Sequence, residues 1–529
     1  MAIIISQIKT GLDEPKENAV SRAMAALRLK PGDIAEARLY KSSVDARREV
    51  CFVHSVYIRL KDRQREKRIA EKRPEVRLYE PGELMVKRGS EKLRGDIYVA
   101  GFGPAGMFCA LTLCEFGYKP VVLERGADMD RRIAAVEGYW HGGALDRSSN
   151  VQFGEGGAGT FSDGKLTTRI NDPLCSRVLE RLAEFGAPEE ILTQAKPHIG
   201  TDRLRSVVRN LRQRVISLGG EVRFLTPLEG VELCGGRLES IRINGADLPC
   251  GALALAVGHS AHNTFRMLNE SGVELVPKPF SVGARIEHLQ TDIDLALYGK
   301  YAGHPALPPA EYQLSYHEGG RGVYTFCMCP GGYVVASASE PGTVVTNGMS
   351  YFDRAGSNAN SAVLVSVSPE DFGGGPLGGA EFIQRLEQQA FQMGRSGKAP
   401  AALTREFIAG GSSFTLGRVE PTYSLGVEPA DLNRLFPEYV STPLKNGLRY
   451  FDRRIPGFSD SDSVLTAIET RSSSPVRLPR NESGFAACAD NLFPCGEGCG
   501  YAGGIMSAAV DGIKTAVRIM EKYSPDRGE

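Results

Sequence analysis

The chain contains 529 residues, of which 42% are hydrophobic and 24% are charged, values close to the average for globular proteins. This composition excludes a disordered chain, a collagen-like fibre and a coiled coil. At about 150 residues per domain, the length indicates three or four units. Lys plus Arg and Asp plus Glu each number 63, so the zero net charge gives no global attraction to nucleic acid or anionic lipid.

The pattern of apolar residues shows no stretch of the ~18 residues that a membrane span requires. The N-terminus has neither the basic region nor the long apolar region of a signal peptide. The eleven cysteines are few and odd in number, which is typical of free thiols in a reducing compartment. We therefore expect a cytoplasmic protein with no membrane partner.

Residues 1–94 are predicted to form a small N-terminal α/β domain. A short helix is expected over 21–29, and the alternating, β-branched stretch 48–60 predicts a strand. Residues 61–77 carry eight basic and four acidic side chains. This charge favours a solvated helix face or an exposed linker over a contact with RNA or a partner.

The character of the chain changes at Asp96, where an apolar strand runs into a glycine-rich turn, a helix over 104–117 and a strand over 119–126. Between 278 and 480 we expect mixed strands and Gly/Pro/Ser loops, with 373–379 as a glycine-rich loop that no apolar helix follows. The remaining predicted elements are helices around 172–185, 203–218 and 501–523, and strands over 221–233, 236–244, 251–259 and 491–498.

Gly101, Gly103 and Gly106 form a G-x-G-x-x-G pattern between the predicted strand and helix, and Glu124 ends the next strand. In this context the glycines allow a tight turn, close approach of a pyrophosphate and close helix–strand packing. The pyrophosphate is expected at the N-terminus of the helix, where free N–H groups favour an anion. Glu124 is suited to accept both ribose hydroxyls of an adenosine and to repel a 2′-phosphate.

Three features favour FAD over NAD as the dinucleotide. The segment CGEGCGYAGGIMSAAVDG (495–512) places Glu497 after a strand and opens a helix at Gly503 and Gly504, which suits a ribityl chain and a flavin ring. The turn AVGHSA (256–261) resembles the strand end that crosses the FAD site in flavoproteins. The sequence holds one fingerprint rather than the two of disulfide reductases, so we expect one bound FAD.

Longer motifs resemble a known family. ERG at 124–126 and the segment GEGxGYAGGI resemble the glutathione-reductase-2-like FAD oxidoreductases. The segments NVQFGEGGAGTFSDGKL (150–166), VYTFCMCPGG (323–332), NGMSYFDRAGSNANSA (347–362) and ETRSSSPVR (469–477) resemble a bacterial family of uncharacterised FAD-dependent dehydrogenases. The resemblance spans most of 90–520.

The resemblance implies an α/β fold with a Rossmann-type, three-layer FAD-binding domain that a mixed α+β cap or substrate domain interrupts. The small N-terminal α/β domain precedes both. The expected bounds are 1–94 for the N-terminal domain, 95–275 and 485–529 for the FAD-binding domain, and 276–484 for the substrate domain.

The resemblance also assigns cofactor contacts. Glu124 would hold the adenosine ribose, Arg125 the adenine or phosphates, and the backbone of Val222 the adenine. Glu497, after Gly496, stands where such flavoproteins usually carry Asp, and the loop 154–166 would lie over the flavin. The glycine-rich contacts are Gly101, Gly103, Pro104, Ala105 and Gly106 at the pyrophosphate, and Gly157, Gly258, Gly503, Gly504 and Ile505 along the rest of the cofactor.

The catalytic residues are left open by the sequence. His259, His262, Tyr501 and Glu497 are candidate proton donors. Lys165 is a candidate for a positive charge near the flavin, or a surface residue. Arg471 is a candidate for pairing with a substrate carboxylate, or for a structural salt bridge, and Lys165, His259 and Arg471 form the weak catalytic set.

The cysteines form two close pairs, Cys327 with Cys329 and Cys495 with Cys499. Residues two apart on a strand point the same way, so we expect Cys327 and Cys329 to be small buried residues facing one core. A redox disulfide is the alternative. No second cysteine or histidine pair stands at zinc-ligand spacing, so no metal is expected.

These observations predict an FAD-dependent oxidoreductase, a dehydrogenase or reductase acting on a small organic substrate. The alternatives are a flavoprotein that modifies tRNA, an FAD-dependent monooxygenase and a flavin-bound sensor without turnover. The expected partners are the small-molecule substrate and a transient NAD(P)H or protein electron donor, and nucleic acid is not expected to be one.

Overall fold

The computed structural model describes residues 1–80, 84–395, 397–460 and 462–527. Its strands form three larger sheets, which follow one another along the chain except that the last strand of the second sheet comes from near the C-terminus. Within the described ranges, no helix is both long enough and apolar enough to cross a bilayer.

The first sheet is antiparallel, with strand order β2-β3-β1-β4. The element order β-α-β-β-α-β with this strand order is a ferredoxin-like arrangement. The charged stretch at 61–77 forms a helix and the last strand, and Asp62 caps that helix by accepting from the N–H groups of Gln64 and Arg65. The elements are β1 (Ala2–Thr10), α1 (Asn18–Ala26), β2 (Ile34–Asp45), β3 (Cys51–Leu60), α2 (Arg63–Lys72) and β4 (Val76–Tyr79).

The second sheet holds the dinucleotide fingerprint. Strands β8, β7, β6, β11 and β23 are parallel, and the first half of β11 turns away to pair with β10 in an antiparallel hairpin that β9 extends. A short strand β5 (Glu91–Leu93) precedes them and pairs with the last strand of the described chain. The elements are β6 (Asp96–Ala100), α3 (Pro104–Glu115), β7 (Val121–Leu123), α4 (Met129–Trp140), α5 (Leu174–Glu184), α6 (Thr201–Ser217), β8 (Glu221–Arg223), β9 (Gly230–Cys234), β10 (Arg237–Ile243), β11 (Ala246–Leu255) and α7 (His262–Glu270).

The third sheet has the order β14-β15-β18-β13-β21-β19-β20 and is antiparallel except for its last pair. The hairpin β16–β17 contacts one face of this sheet. The elements are β12 (Val276–Pro277), β13 (Phe280–Leu289), α8 (Gln290–Tyr298), β14 (Ser315–Glu318), β15 (Arg321–Cys329), β16 (Tyr333–Ala336), β17 (Thr346–Met349), β18 (Asn358–Val367), α9 (Pro369–Phe372), α10 (Gly378–Gly394), β19 (Ala399–Leu403), α11 (Thr404–Ala409), β20 (Val427–Pro429), α12 (Glu438–Arg454), β21 (Val464–Glu469) and β22 (Val476–Arg477).

The expectation that no apolar helix follows the loop 373–379 is wrong. Helix α10 begins at Gly378 and buries Phe382, Ile383 and Leu386 at helical spacing. Helices α8 and α12 were also not predicted, although α12 runs for 17 residues with Pro443 inside it. The glycines at the start of α10 and Pro443 inside α12 masked the apolar periodicity of these two helices, and burial of their apolar faces stabilises them.

The chain returns to the second sheet after the third. Strand β23 (Leu492–Pro494) pairs with β11, helix α13 (Ile505–Lys522) packs on α3, and β24 (Tyr523–Arg527) pairs with β5. The hydroxyl of Tyr118 donates to the Tyr523 carbonyl at 2.6 Å. The C-terminal segment therefore completes the second sheet and closes over the linker that enters it.

Helices α3 and α13 touch through their backbones. A Cβ atom at Gly512 would lie 2.1 Å from the carbonyl oxygen of Ala105, and one at Gly106 would lie 1.9 Å from that of Gly101. Every residue of α3 from Ala105 to Cys114 is buried. The two glycines therefore fix how closely α3 approaches both its own turn and α13.

A buried ion pair joins the central strands of the third sheet. The guanidinium of Arg285 on β13 donates to both carboxylate oxygens of Glu469 at 2.9 and 2.8 Å, and to the side chain of Asn360 at 2.7 Å. Arg285 is 0% exposed. A buried guanidinium needs such partners for its donors, so this network fixes the register of three strands.

Replacing Gly512 by alanine should lower the free energy of unfolding by about 1–3 kcal/mol, because the new methyl group has no room against Ala105. Gly138 in α4 provides the matched control, since a Cβ there meets no atom of the described residues within 4 Å. The Gly138→Ala variant should be more stable by about 0.5–1 kcal/mol. Chemical denaturation of both variants tests this, and equal effects at the two glycines would contradict the close helix contact.

Candidate functional site

Two helix N-termini form the base of the site. Helix α3 begins after Gly103 and α13 after Gly504, and no side chain of the described residues caps either end. The first N–H groups of both helices are therefore available to an anion. Since α3 crosses α13 at Gly512, its start lies about two helical turns, or roughly 10 Å, from the start of α13.

The fingerprint turn uses its three glycines differently. Gly101 has φ +100°, and a Cβ there would lie 2.4 Å from the carbonyl oxygen of Ala256. A Cβ at Gly106 would collide with the carbonyl oxygen of Gly101 in the turn itself. A Cβ at Gly103 would contact only the Cα of Gly157, at 3.7 Å, among the described residues. Gly103 therefore leaves the approach to the α3 N-terminus open.

Three glycines that follow strand β11 or precede helix α13 have open space in place of a side chain, and this open space is called the groove. A Cβ at Gly258, Gly503 or Gly504 would meet no described atom within 4 Å. Gly258 and Gly504 have φ values of +78° and +133°, which favour glycine. Bare backbone next to open space is suited to a flat ring, so the residues fit a flavin dinucleotide that runs from α3 towards α13.

The loop 154–161 reaches both helix N-termini. Gly156 donates its N–H to the carbonyl of Phe102 at 2.9 Å, and a Cβ at Gly159 would lie 3.0 Å from the side chain of Ile505. A small apolar cavity lies below the loop, between Pro104 and Ile505. The loop is therefore placed beside the groove along its length.

A fully buried arginine holds this loop. The guanidinium of Arg132 on α4 donates to the carbonyl groups of Asn150, Val151 and Gly154 at 3.0, 3.0 and 3.2 Å, and Arg132 is 0% exposed. Burial lowers the pKa of Arg132 to about 9. Sequence reasoning missed this residue because its ligands are carbonyl groups, which no side-chain pattern reveals.

Glu124 lies beside the fingerprint turn, where the sequence placed it. Its carboxylate is buried and accepts from the N–H groups of Phe102 at 2.8 Å, Gly126 at 2.9 Å and Gly154 at 3.0 Å. These bonds link the fingerprint turn to the loop 154–161 and fix the orientation of the carboxylate. The expected contact with the adenosine ribose stays a prediction, alongside this second role.

The other residues expected at the adenosine lie on neighbouring elements. The guanidinium of Arg125 lies 4.4 Å from the centre of the Phe153 ring, and burial lowers its pKa. Val222 is half-buried on β8, opposite Val122 of β7. Arg125 lies directly after β7, as Glu124 does, and Val222 lies on the neighbouring strand β8.

The segment that opens α13 is held by an ion pair that the sequence did not reveal. Gly496 has φ +74° and donates its N–H to Asp511 at 2.7 Å. Arg480 donates to both carboxylate oxygens of Asp511 at 2.8 and 2.6 Å. The guanidinium of Arg480 also lies 3.7 Å from the ring centre of Tyr501, whose hydroxyl donates to the Leu478 carbonyl at 3.0 Å.

Glu497 has an unusual protonation equilibrium. Burial raises its pKa to about 7, with Lys278 acting in the opposite direction. Burial in turn lowers the pKa of Lys278. Glu497 therefore exchanges a proton near neutral pH, which is the property required of a general acid or base.

His259 and His262 are both neutral near pH 7. Burial, reinforced by the charge of Arg471, lowers the pKa of His259 to about 4 and that of His262 well below its usual value. The Nε2 atom of His259 is buried and has no hydrogen-bond partner among the described residues. His259 directly follows the open glycine Gly258, so a buried acceptor without a partner lies next to this open backbone in the chain.

Arg471 is fully occupied by protein partners. Its Nε and Nη2 donate to the carboxylate of Glu387, both at 2.9 Å, and Nη1 donates to Ser339 at 2.7 Å. Thr470 donates to the same carboxylate at 2.6 Å. The structure thus places Arg471 in a buried salt bridge, the second of the two roles that the sequence allowed.

Lys165 pairs with Glu311 rather than with open solvent. The Lys165 Nζ atom lies 3.3 Å from one carboxylate oxygen of Glu311, and Lys196 lies 2.6 Å from the other. Burial opposes the charge of Glu311, but the two lysines lower its pKa to about 2. Lys165 therefore carries a fixed positive charge between the loop and the third sheet.

Polar contacts join the residues that flank the loop 154–161 to segments beside the hairpin β16–β17. Gln152 donates to the Ser337 hydroxyl, just after β16, at 2.6 Å and accepts from Ser260 at 3.0 Å. Arg354, between β17 and β18, donates to both carboxylate oxygens of the buried Asp163 at 3.1 and 2.6 Å. These bonds hold both ends of the loop against the region that carries the third sheet.

The expectation that Cys327 and Cys329 point the same way into one core is wrong. The pairing of β15 with β18 shifts between Phe326 and Cys329, and Cys327 has φ +45°, so the strand does not alternate here. Cys329 is buried but Cys327 is partly exposed, whereas Cys495 and Cys499 are both fully buried. Among the described residues no cluster of three or more His, Cys, Asp or Glu is arranged to hold a metal ion.

The turn, the two uncapped helices and the open glycines have the geometry that a dinucleotide cofactor requires. A family model described as "FAD-dependent protein, C-terminal domain-like" matches residues 279–472. An "Uncharacterized protein" of Clostridium beijerinckii is 47% identical over 532 residues, covering 99% of each chain. The chain belongs to the same family as this clostridial protein, a family of FAD-dependent proteins, and FAD is its cofactor.

Solved flavoprotein structures resemble the chain at low identity. A geranylgeranyl bacteriochlorophyll reductase-like protein from Thermoplasma acidophilum is 13% identical, with a TM-score of 0.35 and coverage of 80% of this chain and 78% of that one. The halogenase PltM is 12% identical, with a TM-score of 0.36 and coverage of 81% and 68%. CtdE in complex with FAD is 11% identical, with a TM-score of 0.31 and coverage of 81% and 83%.

The raised pKa of Glu497 has a consequence for stability. Because the folded-state pKa of about 7 lies above the ordinary value of 4.5, the folded protein loses stability as the pH rises from 4.5 through 7. Glu497→Gln stays uncharged, so it should raise the melting temperature of cofactor-free protein at about pH 8.5 and change it little near pH 5. Thermal unfolding at both pH values measures this, with the exposed Glu482→Gln as control. A Gln variant whose gain is the same at both pH values would contradict the assignment.

Proposed function

We propose that the chain is an FAD-dependent dehydrogenase or reductase that acts on a small organic substrate. The groove of open backbone at Gly258, Gly503 and Gly504 supports this most directly, because it leaves one face of a flat ring uncovered by side chains. All eleven cysteines are free, which supports a reducing, cytoplasmic compartment.

Bound FAD supplies the transfer of a hydride or of electrons, and the chain supplies binding, orientation and proton transfer. The N–H groups at the start of α3 would hold the pyrophosphate, and the Glu124 carboxylate the adenosine ribose. The start of α13 would direct its positive potential at the flavin ring, where it favours a reduced, anionic ring. Arg132 and Glu124 keep the loop 154–161 in place beside the groove.

The substrate would enter between the groove and the third sheet. Gln152 and Asp163, which flank the loop, bind Ser337 and Arg354 in the segments next to this sheet, and the charge of Lys165 lies at the same junction. Near this groove, Glu497 exchanges a proton near neutral pH, and the neutral His259 has a buried Nε2 with no hydrogen-bond partner among the described residues. We propose Glu497 as the proton donor and His259 as a group that accepts a hydrogen bond from the substrate.

The electron source is tested by the absorbance spectrum of the purified protein, recorded before and after anaerobic mixing with NADH or NADPH. A flavin spectrum that bleaches with either nucleotide is expected for a nicotinamide-fed reductase. A flavin spectrum that persists with both would assign reduction to the organic substrate or to a protein partner. Protein that stays colourless after FAD is added would overturn the proposal.

The groove itself is tested by Gly503→Val. A Cβ at Gly503 would meet no described atom within 4 Å, so the protein should fold with an unchanged melting temperature in its cofactor-free form. It should nevertheless lose most of its bound FAD, because the side chain fills the place of the ring. Gly32→Val in the N-terminal domain has the same open surroundings and should retain FAD. FAD content is read from the ratio of flavin to protein absorbance, and full retention by Gly503→Val would place the ring elsewhere.

A further inference from the structure

A bulge at the end of β15 holds two cysteines on a rigid support. The carbonyl oxygen of Cys327 accepts from the Nη1 of Arg285 at 3.2 Å and from the thiol of Cys329 at 3.3 Å. Arg285 is itself fixed by its buried ion pair with Glu469. The left-handed conformation of Cys327, with φ +45°, is unusual for a residue other than glycine and turns its side chain out of the strand alternation.

The two thiols differ in exposure and in acidity. Cys327 is partly exposed, whereas Cys329 is 0% exposed. The neighbouring Cys329 side chain lowers the pKa of Cys327, and the Cys327 side chain together with burial raises that of Cys329. The positive charges of Arg285 and Lys165 further favour the Cys327 thiolate. A partly exposed thiol of lowered pKa beside a buried thiol is the arrangement of an attacking and a resolving cysteine.

The turn that follows keeps the pair in place. A Cβ at Gly331 would lie 1.7 Å from the carbonyl oxygen of Arg354, and Arg354 is tied to Asp163 at the junction with the loop. Lys165, two residues beyond Asp163, belongs to the same segment. The charges of Lys165 and Asp163 act on the Cys327 thiol, so this thiol lies near that segment.

We propose that Cys327 and Cys329 form a thiol–disulfide exchange site that reduces small-molecule disulfides. The Cys327 thiolate attacks one sulfur of the disulfide RSSR, forms a mixed disulfide and releases RS⁻. The Cys329 thiol then loses its proton and attacks the Cys327 sulfur, which breaks the mixed bond and releases a second thiolate. The protein dithiol is oxidised by two electrons to one intramolecular disulfide, and RSSR is reduced to two thiols.

The pair Cys495 and Cys499 gives an internal comparison. Both are fully buried, and burial raises the pKa of each thiol. The Cys499 thiol donates to the Leu255 carbonyl at 3.2 Å, so it is held by backbone and not by its neighbouring cysteine. Two cysteines close in sequence are thus inert packing residues in one place and a paired dithiol in the other.

The test treats the reduced holoprotein with oxidised glutathione under anaerobic conditions and measures the mass of the tryptic peptide 322–354, which contains only these two cysteines. The peptide should lose two hydrogen atoms and retain no glutathione. In Cys329→Ser it should instead gain one glutathione at Cys327, and in Cys327→Ser it should stay unmodified. The double variant Cys495→Ser/Cys499→Ser should behave as the wild type.

A peptide that stays reduced in the wild type while the exposed Cys234 becomes glutathionylated would overturn the proposal. So would glutathione trapped on Cys327 in the wild type, because Cys329 would then not resolve the bond.

The pH dependence of alkylation gives a second readout that needs no variant. Cys327 should react with iodoacetamide with a midpoint below the ordinary thiol value of about 8.5, and a midpoint at or above that value would contradict the proposal. Neither readout depends on flavin reduction, so a failure of the proposed function and a failure of this proposal can be told apart.

Discussion

The contact on which the whole nucleotide-binding region depends is the one between the backbones of α3 and α13. Gly512 lets α13 lie against Ala105, and Gly106 lets α3 lie against the turn that precedes it. No side chain larger than hydrogen fits at either place. This contact sets the distance between two free helix N-termini, and that distance decides which ligand can reach both of them.

Buried arginines support the site from outside it. Arg132 holds the loop by its carbonyl groups, Arg285 holds three strands of the third sheet, and Arg471 is neutralised by Glu387. Each is fully paired, because a buried guanidinium without partners costs several kcal/mol. Buried, paired arginines therefore hold the segments around the groove in place, whereas the groove itself is lined by glycine backbone.

The sequence was most informative where a glycine has a single physical reason to be present. Strand β6, helix α3 and the turn at Gly101 to Gly106 were predicted with bounds within two residues, since their spacing reports backbone geometry. The four carbonyl ligands of Arg132 and the bond of Gly496 to Asp511 were not predictable, because they join residues distant in the chain. The bulge at Cys327 was missed because a positive φ at cysteine leaves no compositional signal, and helix α10 because the glycines before it suggested only a loop.

The closing position of α13 has a consequence for synthesis of the chain. Helix α3 leaves the ribosome roughly 400 residues before the helix that covers it. During that interval the third sheet can form completely, whereas the apolar surface of α3 around Ala105 is not yet covered by α13. The nucleotide-binding region therefore begins to form before the third sheet but is completed only after it, and chaperones would act on this incomplete state.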